Sequence, residues 1–259
     1  MSTKTALITG ASSGIGLEFA RVLAAQKVNL ILVARSTSKL EELAQSLHNQ
    51  FDVEVNILTQ DLSEYKNALS VFEWCSSHKL QVDYLINNAG FGELGNFHET
   101  DWNRQEQMIN LNMTTLAYLT HLFLPDMIKR KNGKILNIAS TAAFQPGPGM
   151  AVYFATKAFV LHFSEAIGAE LAGTGVTVTA LCPGATESNF AKEAKATESK
   201  LFKGRKIPSS AEVAKYGIKA MMKGKAVAIH GSLNYFMVNS IRFAPRSIVT
   251  MISSAIMGK

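Results

Sequence analysis

Short runs of consecutive apolar residues recur along the chain: Thr5 to Ile8, Leu30 to Val33, Val53 to Leu58, Leu85 to Asn87, Ile135 to Ile138, Val176 to Leu181 and Ala226 to Ile229. They are rich in β-branched residues and too short for helices, so each predicts a strand. Between them lie longer segments whose apolar positions return every three or four residues, as in Ile15 to Gln26, Ser38 to Gln50 and Tyr65 to His78; these predict amphipathic helices. The strands are apolar throughout rather than at alternate positions, which implies burial on both faces and hence a parallel sheet between helical layers. Right-handed crossovers then wind the alternation into an α/β, doubly wound, Rossmann-type domain with a mostly parallel seven-stranded sheet and helices on both faces.

Two further helices are expected, over roughly Asp101 to Lys129 and Ala151 to Ala172. The second carries Val152, Phe154, Phe159, Val160, Leu161, Phe163, Ile167 and Leu171 on more than one face. That pattern predicts packing against the sheet and against a second surface, read here as another subunit of a homo-oligomer. The alternation runs nearly end to end with no linker, so one domain over 1–259 is expected, with a cofactor half at about 1–130 and a catalytic and substrate half at about 131–259.

Composition narrows the classes. With 47% hydrophobic and 18% charged residues the chain reads as globular rather than disordered or fibrous. The start runs directly into a strand, so no leader is expected and a cytoplasmic location is the default. Cys75 and Cys182 are far apart and the six histidines are dispersed; buried thiols are expected, and no metal. The net charge of +6 admits nucleic acid, an anionic membrane or a phosphorylated cofactor. The cations form no continuous patch interleaved with aromatics, which argues against nucleic acid.

Ligands in such a sheet bind at the carboxyl ends of the strands. After the first strand stands Thr9-Gly10-Ala11-Ser12-Ser13-Gly14-Ile15-Gly16, a sharp turn that would expose the next helix's free N–H groups to an anion such as a pyrophosphate. Tyr153 and Lys157 lie four apart on the helix predicted from Ala151, with Ser140 thirteen residues before Tyr153. An ammonium about 4 Å from a phenolate would stabilise it by roughly 4 kcal/mol at an effective dielectric near 20, a generous bound on acidification of the phenol. The trio reads as a proton-transfer site.

Together, Gly10-xxx-Gly14-x-Gly16, Asn87-Asn88-Ala89-Gly90, Ser140, Tyr153-xxx-Lys157 and Pro183-Gly184 resemble the short-chain dehydrogenase/reductase family, from about residue 4 to about residue 190. The resemblance implies a nicotinamide-dependent oxidoreductase acting on a small carbonyl or alcohol substrate. It implies Tyr153 as general acid in reduction, Lys157 as its cation and a cofactor-ribose partner, and Ser140 as the hydroxyl that orients the substrate oxygen. Asn112 resembles the family asparagine that anchors a proton-relay water; Asn110 competes for that role, and a helix-bending residue is the plain alternative.

The same resemblance places Gly10, Ser12, Ser13, Gly14, Ile15 and Gly16 along the pyrophosphate, Asn88, Ala89 and Gly90 beside the cofactor, and Pro183, Gly184 and Thr186 under the nicotinamide. Asn87 is expected to support the sheet instead. Strand two ends Val33-Ala34-Arg35-Ser36 without an acid, so Arg35 and Ser36, with Ser13, point to the 2′-phosphate of NADP(H) over NAD(H). Asp61 and Leu62 would meet the adenine, although Asp61 or Ser63 could equally cap the following helix.

Residues 187–208 are polar and Lys-rich, suited to a lid over substrate or to an idle loop. The last thirty residues are apolar but interrupted by Asn, Arg and Ser, too broken to span a bilayer. Packing over the substrate pocket or a partner subunit is the first reading, and weak membrane-surface contact the alternative. A dinucleotide-sensing or scaffold protein on the same fold is the rival to an enzyme; the complete catalytic group favours the enzyme.

Overall fold

The computed structural model describes residues 3–194 and 207–257. In chain order its elements are β1 (Thr5–Thr9), α1 (Gly14–Ala24), β2 (Asn29–Ala34), α2 (Thr37–Phe51), β3 (Val55–Thr59), α3 (Asn67–Ser77), β4 (Tyr84–Asn87), α4 (Trp102–Ile109), α5 (Leu116–Lys129), β5 (Gly133–Ile138), α6 (Ala151–Glu170), β6 (Val176–Cys182), α7 (Phe190–Glu193), α8 (Ser210–Met222), β7 (Val227–Ile229), α9 (Ser232–Ser240) and α10 (Arg246–Met257).

The strands form one seven-stranded sheet in the order β3-β2-β1-β4-β5-β6-β7, every pair parallel. Successive strand residues point to opposite faces, yet both sets are buried. Ile8, Leu30, Leu32, Ile86 and Leu181 pack with Phe19, Leu23, Val213 and Ile218 of α1 and α8. Leu7, Ile31, Val33, Leu85 and Ile135 pack with Val71, Leu119 and Phe123 of α3 and α5 on the other face. Two covered faces are why the strands read as continuous apolar runs. Strand order reverses at β1, which has β2 on one side and β4 on the other, and the crevice beyond their carboxyl ends is where such a fold presents a ligand site.

One expectation is corrected. The helix read over Asp101 to Lys129 is interrupted by a π-helical turn, Asn110–Thr115, between α4 and α5. The side chain of Asn112 is drawn out of the helix to partners on other elements, and the widened turn accommodates it.

Helix α8 opens on a reciprocal capping box formed by Ser209 and Glu212, a signal that Ser-x-x-Glu carries in sequence. Both cysteines are buried and free.

Candidate active site

The first wall of the crevice is the turn after β1. Gly10 takes φ +66°, a conformation glycine adopts without strain. At Gly16 a β-carbon would sit 2.3 Å from the Gly10 carbonyl oxygen, so the helix starts hard against the loop. Asn88 holds the loop from the side: its Nδ2 donates to the carbonyls of Thr9 and Gly10 at 2.9 and 3.2 Å. The Thr9 hydroxyl accepts from the backbone N–H groups of Asn88 and Ala89, each at 3.0 Å, tying the end of β1 to that of β4.

Ser13 is the N-cap of α1, but its side chain makes no capping bond and the first turn carries no acid. The positive end of that helix dipole is therefore not neutralised locally. Gly10, Ser12, Ser13, Gly14 and Ile15 line a cleft of about 520 Å³, whereas Gly16 is not in its wall and serves instead as the packing contact behind it.

One end of the cleft is basic. Arg35 is exposed there beside Ser36, and Lys39, one turn into α2, joins them. Lys39 was missed by the sequence reading, though its four-residue spacing from Arg35 was visible. Asp61 and Leu62 line the same end. The Asp61 carboxylate accepts from the Ser63 N–H and hydroxyl at 2.9 and 2.8 Å. This is a local turn and not a helix cap, because the N-cap of α3 is Lys66.

The other end holds Tyr153, Lys157 and Ser140, all buried and all lining the one cleft. Residue 153 follows the start of α6 and residue 157 comes one turn later, so both side chains leave the same helical face. Ser140 stands in extended backbone just past β5. Its hydroxyl accepts from the Ala142 N–H at 3.1 Å and donates to the Pro183 carbonyl at 3.4 Å. Lys157 donates to the Ile138 carbonyl at 2.7 Å, and its nitrogen is 5.8 Å from the centre of the Tyr153 ring.

The electrostatics correct the expected acidification of the phenol. Burial pushes Tyr153 up to about 12, with the Ser140 hydroxyl acting in the opposite direction. Burial likewise pulls Lys157 down to about 8, opposed by Cys182. Loss of water dominates at both groups, and the ammonium donates to the Ile138 carbonyl.

Asn112 is buried in the π turn and is not in the cleft wall. Its Nδ2 donates to the Phe91 carbonyl at 2.9 Å and to Thr156 Oγ1 at 3.0 Å, while its Oδ1 accepts from the Phe91 N–H at 3.1 Å. The Thr156 hydroxyl in turn donates to the Tyr153 carbonyl at 2.7 Å. Asn112 thus braces the backbone on both sides of the site. A β-carbon on Gly90 would lie 2.8 Å from Asn112 Oδ1 and 3.6 Å from Lys157 Nζ, so the absence of a side chain at 90 lets these groups converge. Asn87 supports the sheet, donating to Thr120 and Asn137.

Asn88, Ala89, Gly90, Pro183, Gly184 and Thr186 complete the wall. The Thr186 hydroxyl donates to the Gly184 carbonyl at 3.0 Å. Beside Tyr153 the surface is apolar, made by Phe91, Met150, Phe154 and Phe190. Of the candidate lid at 187–208, residues 195–206 lie outside the described residues. Its described start is fastened by Arg104, which pairs with Glu193 and stacks over the Phe91 ring at 3.9 Å.

Residues 4–199 match the short chain dehydrogenase family model. The chain belongs to the short-chain dehydrogenase family. Members are oxidoreductases acting between alcohol and carbonyl groups, and a nicotinamide cofactor goes with the fold.

Among relatives of this chain is the very-long-chain 3-oxoacyl-CoA reductase of Rattus norvegicus, 30% identical over 253 residues, which cover 92% of this chain and 77% of the relative. The NADP-dependent 3-hydroxy acid dehydrogenase of Schizosaccharomyces pombe is 37% identical over 190 residues, covering 72% and 73%. Hydroxysteroid dehydrogenase-like protein 1 of Gallus gallus is 29% identical over 218 residues; the match covers 83% of this chain but 65% of that longer protein. A solved short-chain dehydrogenase from Sphingobium yanoikuyae in complex with NADPH superposes with TM-score 0.83 at 31% identity, covering 93% and 94% of the two chains.

Proposed function

We propose that this chain is an NADP(H)-dependent carbonyl reductase acting on an apolar substrate. The observation that carries the reading is a single cleft joining a basic corner, an uncapped helix N-terminus and the Tyr153, Lys157 and Ser140 side chains.

These residues fit a phosphorylated dinucleotide. Arg35 and Lys39 offer two cations where an acid would repel a 2′-phosphate. The first turn of α1 offers backbone N–H groups to the pyrophosphate. The NADPH-bound Sphingobium structure and the NADP-dependent yeast relative lend support. When bound, the nicotinamide supplies the hydride.

The protein's own part is to hold the carbonyl and give it a proton. Ser140 turns its hydroxyl from the long 3.4 Å bond to the Pro183 carbonyl and donates to the substrate oxygen, where negative charge develops. Tyr153 keeps its proton at neutral pH as any phenol does, and burial raises its ionisation further, to about 12, so it enters the reaction protonated and able to donate. Lys157 supplies positive charge beside the phenolate left behind. Phe91, Met150, Phe154 and Phe190 exclude water and favour an apolar body attached to the carbonyl. We read the protein as one cytoplasmic domain that assembles through the half-buried Phe159 and Phe163 of α6, and light scattering would test that assembly.

The test is an NADPH-consumption screen over aldehydes, ketones, quinones, steroids and 3-oxoacyl thioesters, repeated with NADH. The reading predicts turnover of apolar carbonyls with NADPH favoured. Tight NADPH binding with no consumption across the whole panel would instead mark a dinucleotide-sensing protein.

A further inference from the structure

The apolar carboxyl-terminal segment forms α9, a 3₁₀ turn at Ile241–Phe243 and α10. Many of its large apolar side chains face outward. Of the thirteen large hydrophobic residues exposed among the described residues, eight lie between 233 and 252. Phe236 is 71% exposed, Phe243 90% and Met251 65%. Single exposed hydrophobics are ordinary on a protein surface; this concentration is not.

Helix α10 is apolar on two sides. Val249, Ser253 and Met257, at intervals of four, turn inward and are buried. Met257 belongs to the same apolar cluster as Met150, Tyr153 and Phe154. Ile248, Met251 and Ile252 turn outward. The outer surface therefore belongs to a helix whose inner side packs into the apolar cluster that contains Tyr153.

We propose that this surface seats the protein on an anionic phospholipid bilayer, with α9 and α10 lying in the interface plane. Charge decides for this occupant. Exposed Arg242 and Arg246 flank the apolar residues, and no Asp or Glu occurs anywhere after Glu212. Outward aromatic and aliphatic side chains bordered by arginine fit the boundary between acyl chains and acidic headgroups. A two-fold contact with a second copy would bring arginines toward arginines with no carboxylate from this segment to offset them. No helix among the described residues is long and apolar enough to cross a membrane, so the contact is peripheral.

The test is flotation of the full chain with phosphatidylcholine vesicles, with and without phosphatidylserine. Binding is expected with the acidic lipid and is expected to weaken as salt rises. Phe236→Glu with Phe243→Glu should abolish it. Arg242→Gln with Arg246→Gln should weaken it roughly twenty-five-fold, counting about five-fold for each positive charge removed. Both variants should keep wild-type NADPH binding, which separates this result from a failure of the proposed reductase activity. Absence of flotation at low salt would overturn the proposal, as would equal flotation of the wild type and the phenylalanine variant. A dimer by light scattering that the phenylalanine substitutions dissociate, without vesicle binding, would assign the surface to a second copy.

Discussion

Lys157 gives its ammonium to the carbonyl of Ile138 at 2.7 Å, while Tyr153, whose ring centre is 5.8 Å away, keeps a phenol that burial makes a weaker acid. The arrangement fixes the lysine at the carboxyl end of β5 and leaves its charge dependent on a site that disfavours it. Burial holds Lys157 at about 8, so the ammonium is present below that pH and is lost as pH rises through it. Reductive kcat is expected to be level below pH 7 and to fall by up to about tenfold per pH unit above 8, as for loss of one required proton. A rate unchanged up to about pH 10, the ordinary lysine range, would contradict this.

The basic corner sets cofactor choice in this account. Arg35→Asp should weaken NADPH by about ten- to hundred-fold, the loss of a charge-assisted hydrogen bond, and should improve NADH. Dissociation constants by fluorescence titration check it. Equal affinity of the wild type for both cofactors would remove the NADP(H) assignment.

Gly16→Ala tests the packing behind the glycine loop. Alanine is the better helix former by about 1 kcal/mol, but its β-carbon would meet the Gly10 carbonyl at 2.3 Å. Overpacking against backbone should win, with a net loss of about 1–3 kcal/mol in denaturant unfolding. NADPH affinity should fall with it.

Thr156→Val keeps the shape of the side chain but leaves Asn112 Nδ2 without one of its two acceptors. A cost of about 1–3 kcal/mol is expected in equilibrium unfolding. Thr156→Ser, which retains the hydroxyl, should recover most of it.

The strands and the main site were legible because their signals are local. A strand buried on both faces must be apolar throughout, and Tyr153 and Lys157 share a helical face by spacing alone. Asn112 shows where that stops: a helix-bending residue is one of its readings, but its partners are 21 and 44 residues away, so its bracing role could not be read from neighbouring residues. Ionisation was likewise hidden. Sequence gives the attraction between Tyr153 and Lys157, but their burial and the hold of Ile138 on the ammonium arise only in the packed structure. Lys39 and the capping box of α8 are different, since both are local patterns that stand in the sequence. At the carboxyl terminus the apolar composition was plain, whereas which side chains face outward depends on what α10 packs against.

The most direct test is single-turnover NADPH fluorescence with an apolar carbonyl identified in the screen, comparing the wild type with Tyr153→Phe. Both proteins should bind NADPH alike, and the phenylalanine variant should oxidise it at least about a hundred-fold more slowly, the lower range for loss of a positioned acid. Equal rates for the two proteins would contradict Tyr153 as the proton donor and, with it, the proposed mechanism.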